Sequence, residues 1–444
     1  MDRHALPVCT LAVLWLPAAA WSQEPPATSD LAAPDLAPHA IAVRSIDPRD
    51  RDFADLEPLI DKIGAARIVV LGEATHSEGS TSAAKARLAI FLHQHMGFDV
   101  LAWEAGVLDC AAMNRALRDP SVDLRDAAQQ MMRGGWDASE LAWPLFEYAR
   151  NSWQSPRPLR MAGFDGERPP HGARHFRESI ASLEAVGAIA LDAAQRRQLA
   201  GFAQRAFGYL RSDDVPIDDA TRAAQLAAVR DLEAALDTDA ARRRASSVER
   251  GRLRASIRQG YASEERKQGA AGGNVERRHP RDPSMARAFH WLATNEFAER
   301  RIMIWAATAH LTRNTTSLKP IDRDWDYTQA EHMGDTVYRD FGDQLYTIAV
   351  TSHHGTLGNI RASATQNRAQ TQAIEPPLTG SFEDLAHQLE QPYLFVDLRG
   401  AHSGSWLQGE FVARPLGFIP TRATWADVID AFVFIDEMEP ERLR

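Results

Sequence analysis

Seven apolar runs of strand length, separated mostly by helical segments, constrain this chain of 444 residues more than any other feature. They are Arg67–Leu71, Asp99–Trp103, Leu159–Gly163, Arg301–Trp305, Leu345–Val350, Tyr393–Val396 and Ala431–Ile435. Runs this apolar on consecutive residues suit strands covered on both faces. Their alternation with helices predicts an α/β fold, a parallel or mixed central sheet with helices on both faces. Residues 179–266, rich in Ala, Leu and Arg at helical spacing, predict an inserted helical layer. The stretch 268–283 holds Gly269, Gly272, Gly273 and several arginines and reads as a mobile loop, a lid over a cleft. Ile46–Ile63 reads as a short helix and Ser80–Met96 as an amphipathic one.

The polar residues of interest follow the strands rather than precede them. Glu73, Thr75 and His76 follow the first strand, Glu104 the second and Asp165 the third. His310 follows the fourth, His353 and His354 the fifth, and Asp397 the sixth. In a parallel sheet the carboxyl ends share one edge, where ligand sites form, so these residues are candidates for one cleft. Structural roles compete with that reading. Glu73 and His76, with Thr75 between them, suit caps at the start of the next helix, Asp165 in Gly163-Phe-Asp-Gly166 suits a turn, and a lone His310 can be structural. The His353-His354 doublet reads as a rim loop. Glu104, at the end of a buried strand, needs a partner for its carboxylate.

The ends and the composition narrow the function. Arg3 and His4 precede an apolar run to Ala20, and Ala20-Trp21-Ser22 supplies small residues for cleavage, so residues 1–22 read as a signal peptide of an exported, periplasmic or secreted protein. Pro7, Pro17 and the shortness of the run argue against a membrane anchor, which needs roughly 20 apolar residues. Residues 23–44 read as a tail or linker, and 45–444 as one domain. Cleavage removes Cys9 and leaves Cys110 alone, which excludes an intramolecular disulfide and a thiolate metal site.

A net charge of −10 argues against a nucleic-acid binder. Arg242, Arg243 and Arg244 read as a solvated helix face. Gly269–Gly273 is no phosphate loop, and the chain has no Gly-x-Ser-x-Gly nucleophile elbow.

Several of these motifs together resemble the erythromycin esterase family. They are the turn Gly72-Glu-Ala-Thr-His76, the helix carrying Lys85 and Arg87, Gly97-Phe98 before a strand ending in Glu104, and Gly163-Phe-Asp165. Arg281-Asp-x-x-Met285 before a helix, the strand end Trp305–His310, and Gly334-Asp335 add to them, and the resemblance spans roughly residues 45–435. It implies a hydrolase that opens macrolide lactones by water attack without a covalent serine intermediate. Glu73 and His76 match the family's Glu-x-x-His turn, Glu104 its second-strand acid, and His310 the last His of a Trp-x-His-Asn-x-His pattern. Lys85 stands where the family tends to carry arginine. The first His and the Asn of that pattern are Ala307 and Thr308 here, and that His is a leading candidate for the family's general base.

The expectation is therefore an exported hydrolase of esters or lactones that needs no cofactor. His76 is its base, paired with Glu73 or Glu104; Lys85 and His310 stabilise the oxyanion or protonate the leaving group, and Asp165, Thr75 and His353 contact substrate. Two alternatives stand beside it. Glu73, His76, Glu104 and His310 are ligand types for a Zn²⁺ or Mn²⁺ hydrolase, although no His-Glu-x-x-His helix is present. Ala307 and Thr308 suit a member that binds a ligand without turnover, or an envelope assembly factor.

Overall fold

All seven expected strands form in the computed structural model of the chain. It describes residues 33–76, 78–131, 136, 139–166, 171–207, 217–271, 281–321, 331–358, 371–401 and 405–442. The expected signal peptide, residues 23–32 of the tail, and residues 272–280 of the glycine-arginine stretch lie outside the described residues.

Twelve strands are described: β1 (Ala40–Ala42), β2 (Ile68–Leu71), β3 (Phe98–Trp103), β4 (Arg160–Gly163), β5 (Arg301–Trp305), β6 (Lys319–Pro320), β7 (Leu345–Leu357), β8 (Gln372–Ala373), β9 (Tyr393–Asp397), β10 (Phe411–Ala413), β11 (Thr421–Ala423) and β12 (Ala431–Met438). A nine-stranded sheet runs β1-β9-β12-β7-β2-β5-β3-β4, with β8 on the distal part of β7. From β12 to β4 the strands are parallel; β9 and β1 are antiparallel additions at one edge. The strands β10, β11 and β6 form a separate small sheet.

The continuous apolar runs arise because both faces of the sheet are covered. Val69, Leu71, Met303 and Trp305 pack into one core, while Ile68, Val70, Ile302 and Ile304 pack into another on the opposite face. The helices Gly79–Met96 and Trp143–Ser152 cover the first face, and Arg281–Trp291 with Met333–Phe341 covers the second. The chain thus leaves β2 toward one face and β5 toward the other. That divergence opens a crevice at their carboxyl ends.

The middle of the chain forms the helices Gly172–Ala185, Ala193–Phe207, Asp219–Ala235, Asp239–Arg244 and Ser247–Ala271. They share their own core around Phe176, Phe202, Leu232 and Ile257. Side-chain caps define two of them, Asp218 accepting from Thr221 N and Thr238 from Ala241 N.

Several local expectations are corrected. Asp397 does not join the other strand ends, because β9 runs antiparallel to β12. Its carboxylate accepts from Tyr346 Oη at 2.8 Å, at the amino end of β7, and meets Lys62. The helix Gly79–Met96 is buried nearly all round rather than amphipathic; only Gln94 and His95 are exposed. Its polar residues have built-in partners: Arg87 bonds both carboxylate oxygens of Asp55 and the carbonyls of Ser45 and Asp52. Helical structure between Ile46 and Ile63 is confined to Leu59–Ile63, and residues 40–42, in the stretch read as a tail, add the edge strand β1. His353 and His354 lie within β7 rather than in a loop. The stretch 268–283 is helical at both ends, since one helix runs to Ala271 and the next begins at Arg281.

Candidate active site

Gly72 ends β2 where the chain must pass close to its neighbours. A Cβ there would lie 2.5 Å from Thr308 Oγ1 and 3.1 Å from the Ile348 carbonyl. Only glycine fits that approach. The turn it begins brings Glu73 to the crevice, where its backbone carbonyl accepts from Thr308 N at 2.8 Å and so ties the β2 and β5 ends together. Neither Glu73 nor His76 caps the following helix; its N-cap is Glu78.

The Glu73 carboxylate is buried and fully engaged. His76 Nδ1 lies 2.5 Å from Oε1, and Lys85 Nζ donates to Oε2 at 2.6 Å. Burial opposes the charge on Glu73, but Lys85 and His76 outweigh it and hold its pKa below the usual carboxylate range. Lys85 is fully buried, with its Nζ 4.3 Å from the centre of the Trp305 ring. It reaches the crevice only through Glu73, so its place is behind the site and not at a substrate oxyanion. The His76 ring stands edge-on to Trp136, 4.9 Å between centroids, and about a third of its side chain is exposed.

Glu104 is the hub of the second half. Its Oε1 accepts from Arg281 Nη2 at 2.5 Å and its Oε2 from Ala307 N at 3.0 Å. Nε2 of His310 lies 3.6 Å from Oε1, and Nε2 of His76 lies 3.8 Å from the same atom. The two histidines therefore flank one carboxylate. Burial works against its charge, yet His310, Arg281 and His76 together drive its pKa far below the usual range.

Arg281 also donates to both oxygens of Asp165, at 3.4 and 3.0 Å, and its Nη1 donates to His310 Nε2 at 3.1 Å. On the far side of that ring, His310 Nδ1 bonds Asp282 Oδ2 at 2.9 Å, and the same oxygen accepts from Met333 N. Asp165 feels burial most, which raises its pKa against the pull of Arg281. For both His76 and His310 burial disfavours the imidazolium, but neighbouring carboxylates win and raise the pKa.

The structure thus gathers Glu73, His76, Lys85, Glu104, Asp165 and His310 at one crevice. Thr75 lies on the same turn, its N–H donating to Glu78. His353 is elsewhere, stacked on His387. Arg281, Asp282 and Trp136 were missed as site residues. Arg281 stood in a motif quoted above, but its acidic partners Glu104 and Asp165 lie 177 and 116 residues away in sequence. As for the metal alternative, both site carboxylates are ion-paired within the protein, Glu73 with Lys85 and Glu104 with Arg281. A divalent ion would have to displace those cations.

A further layer supports the turn from beneath. The C-terminal residues Glu439–Glu441 pass under it, where the Glu439 carbonyl accepts from Gly79 N, and Ser82 and Ser139 hydroxyls donate to Glu441 at 2.7 and 2.5 Å. Burial raises both Glu441 and Glu78 to about 7.

Known proteins share the sequence pattern and the fold. The chain is 23% identical to "Putative hydrolase YbfO" of Bacillus subtilis over 416 residues, covering 89% of each chain. A crystal structure from Bacillus cereus superposes with a TM-score of 0.70 at 15% identity, over 93% of this chain and 98% of that one. A mutant of the erythromycin esterase EreC in its open conformation gives a TM-score of 0.66 at 15% identity, over 91% and 99%. At such identities these two structures speak for the fold alone. Residues 93–438 match the erythromycin esterase family itself, a stretch that holds Glu104, Asp165, Arg281 and His310 and is preceded by the Glu73–His76 turn. Since that match encloses most of the sheet and one half of the crevice, the chain belongs to the erythromycin esterase family.

Proposed function

We propose that this member of a hydrolase family cleaves a carboxylic ester or lactone by attack of water activated by His76. The observation that carries the proposal is the difference in what the two histidines have free. His76 Nδ1 is committed to Glu73 at 2.5 Å, while among the described residues its Nε2 has no closer polar contact than Glu104 at 3.8 Å and sits on a partly exposed ring. In the neutral tautomer with the proton on Nδ1, Nε2 carries the lone pair that takes a proton from water.

The chemistry then follows by position. The water oxygen bonds to the acyl carbon as its proton passes to His76 Nε2. Charge develops on the carbonyl oxygen and is met by Arg281, with His310 beside it. Collapse breaks the acyl–oxygen bond, and the departing alkoxide takes the proton back from His76. Glu73 stabilises the imidazolium during this cycle, and Lys85 keeps Glu73 ionised in its buried position. Asp165 binds Arg281, so it positions the guanidinium. A small cavity lined by Asp165, Gln259, Arg281 and Ser284 adjoins that guanidinium, which gives the inserted helical layer a part in shaping substrate.

The test is a panel of aryl esters and lactones with purified protein and the His76→Ala variant, folding being checked by circular dichroism. Turnover that depends on His76 is expected. A folded variant with undiminished turnover rules the mechanism out, and a wild type inert on the whole panel favours ligand binding without catalysis. Export rests on residues 1–22; a cell-associated product that retains this segment at its N terminus contradicts it.

A further inference from the structure

A second group of imidazoles and a carboxylate lies at the distal ends of β7 and β12. The strand β7 continues beyond the last pair it makes with β2, Leu71 to Ile348, and carries His353 and His354 on this extension. β12 runs beside it, with Ile435 opposite Ser352 and Glu437 opposite His354, which brings Asp436 alongside. His387 is the last residue of the helix Phe382–His387. The His353 ring lies flat on His387, 3.9 Å between centroids at 6°, and His354 stands edge-on to both at 5.4 and 6.0 Å. One potential ligand atom from each of the four residues lies within 4.8 Å of all the others.

We propose that His353, His354, His387 and Asp436 bind a divalent transition-metal ion of the zinc type. Three imidazoles and one carboxylate are a donor set that zinc prefers, and four protein ligands make a closed shell of the structural kind. The spacing agrees. His353 Nδ1 and His354 Nδ1 are 3.2 Å apart, and two nitrogens at zinc-bond distance on a tetrahedral ion are roughly 3.3 Å apart. His387 Nδ1 and Asp436 Oδ1 are 2.5 Å apart and share a proton that an ion would displace.

Asp436 pairs with His387, in contrast to the crevice carboxylates with their lysine and arginine. Nearly half of the His387 side chain is exposed, so an ion has a path in. Bound there, the ion would clip the ends of β7 and β12 to the helix Phe382–His387. It takes no part in the hydrolysis proposed above.

The experiment uses the full, untagged protein freed of metal by a chelator and titrated with Co²⁺, then Zn²⁺. One Co²⁺ per chain is expected, with the visible absorption of a tetrahedral ion, displaced by Zn²⁺ and accompanied by a rise in Tm. His387→Ala, on an exposed side chain, and Asp436→Asn keep the fold by circular dichroism and each weaken binding by about 100-fold. Wild type that takes up no ion overturns the proposal, as does uptake unchanged in the His353→Ala/His387→Ala double variant. Uptake lost in His76→Ala but kept in His387→Ala also overturns it and moves the ion to the crevice.

Discussion

The two halves of the crevice are built alike and end differently. Each holds a histidine whose Nδ1 is tied to a carboxylate, Glu73 for His76 and Asp282 for His310, and whose Nε2 is turned toward Glu104. The cations differ. Lys85 stops behind Glu73 and leaves the His76 ring open, whereas Arg281 reaches through to donate to His310 Nε2 at 3.1 Å. A guanidinium only donates, so the neutral His310 must spend its lone pair on Arg281. One histidine is thereby left free to act as base and the other is held against the Arg281 guanidinium, its lone pair already taken.

The sharpest way to break this distinction is to remove each ring in turn. His76→Ala should lower kcat/KM for an ester by roughly 10³–10⁴-fold, and His310→Ala by only about 10-fold. Equal losses, measured by steady-state kinetics on folded variants, would erase the asymmetry. Arg281→Gln comes next. Loss of the donor facing the developing charge should lower kcat by about 10²-fold, and because Glu104 and Asp165 are then buried without their cation, chemical denaturation should show a stability loss on the order of 3 kcal/mol.

Lys85→Met separates positioning from contact with substrate. It leaves Glu73 buried with His76 in place of a fixed cation as its partner, so its pKa should rise. Activity should fall by about 10-fold mainly in kcat, with KM little changed, together with a stability loss of roughly 3–5 kcal/mol. A large KM effect would place the ammonium at the substrate instead.

The smallest effect concerns the C-terminal support. Glu441 has a raised pKa, about 7, so its neutral form is the one the fold favours. Its contribution is fully present below the unfolded carboxyl pKa and is lost as pH rises through about 7. Glu441→Gln should therefore flatten the decline in Tm between pH 5 and pH 8, by roughly 1–3 kcal/mol at the alkaline end. An unchanged pH profile of Tm would show that Glu441 does not titrate in this window.

The sequence revealed what is local. Strand-length apolar runs follow from burial on both faces, and the acids and histidines after them are legible because a parallel sheet collects carboxyl ends on one edge. Asp397 failed that logic because strand direction is set by connection and pairing, which a run such as Tyr393–Val396 does not carry. Arg281 was legible as part of a motif but not as a partner of Glu104 and Asp165, since pairing across more than a hundred residues leaves no periodic trace. The helical spacing of Leu88, Phe91, Leu92 and His95 suggests one exposed face for the helix Gly79–Met96, yet Ser80, Thr81, Ser82, Lys85 and Arg87 are each buried, and their polarity reports partners rather than water.

The pH dependence of kcat/KM in wild type, His310→Ala and His76→Ala tests the central claim most directly. With neutral His76 as base, and its pKa raised above 6.5 by Glu104 and Glu73 against burial, activity should climb with pH through that raised value in wild type and in His310→Ala. In His76→Ala the climb should vanish with the activity. A climb that persists in His76→Ala and disappears in His310→Ala would give the base to the other histidine and contradict the account.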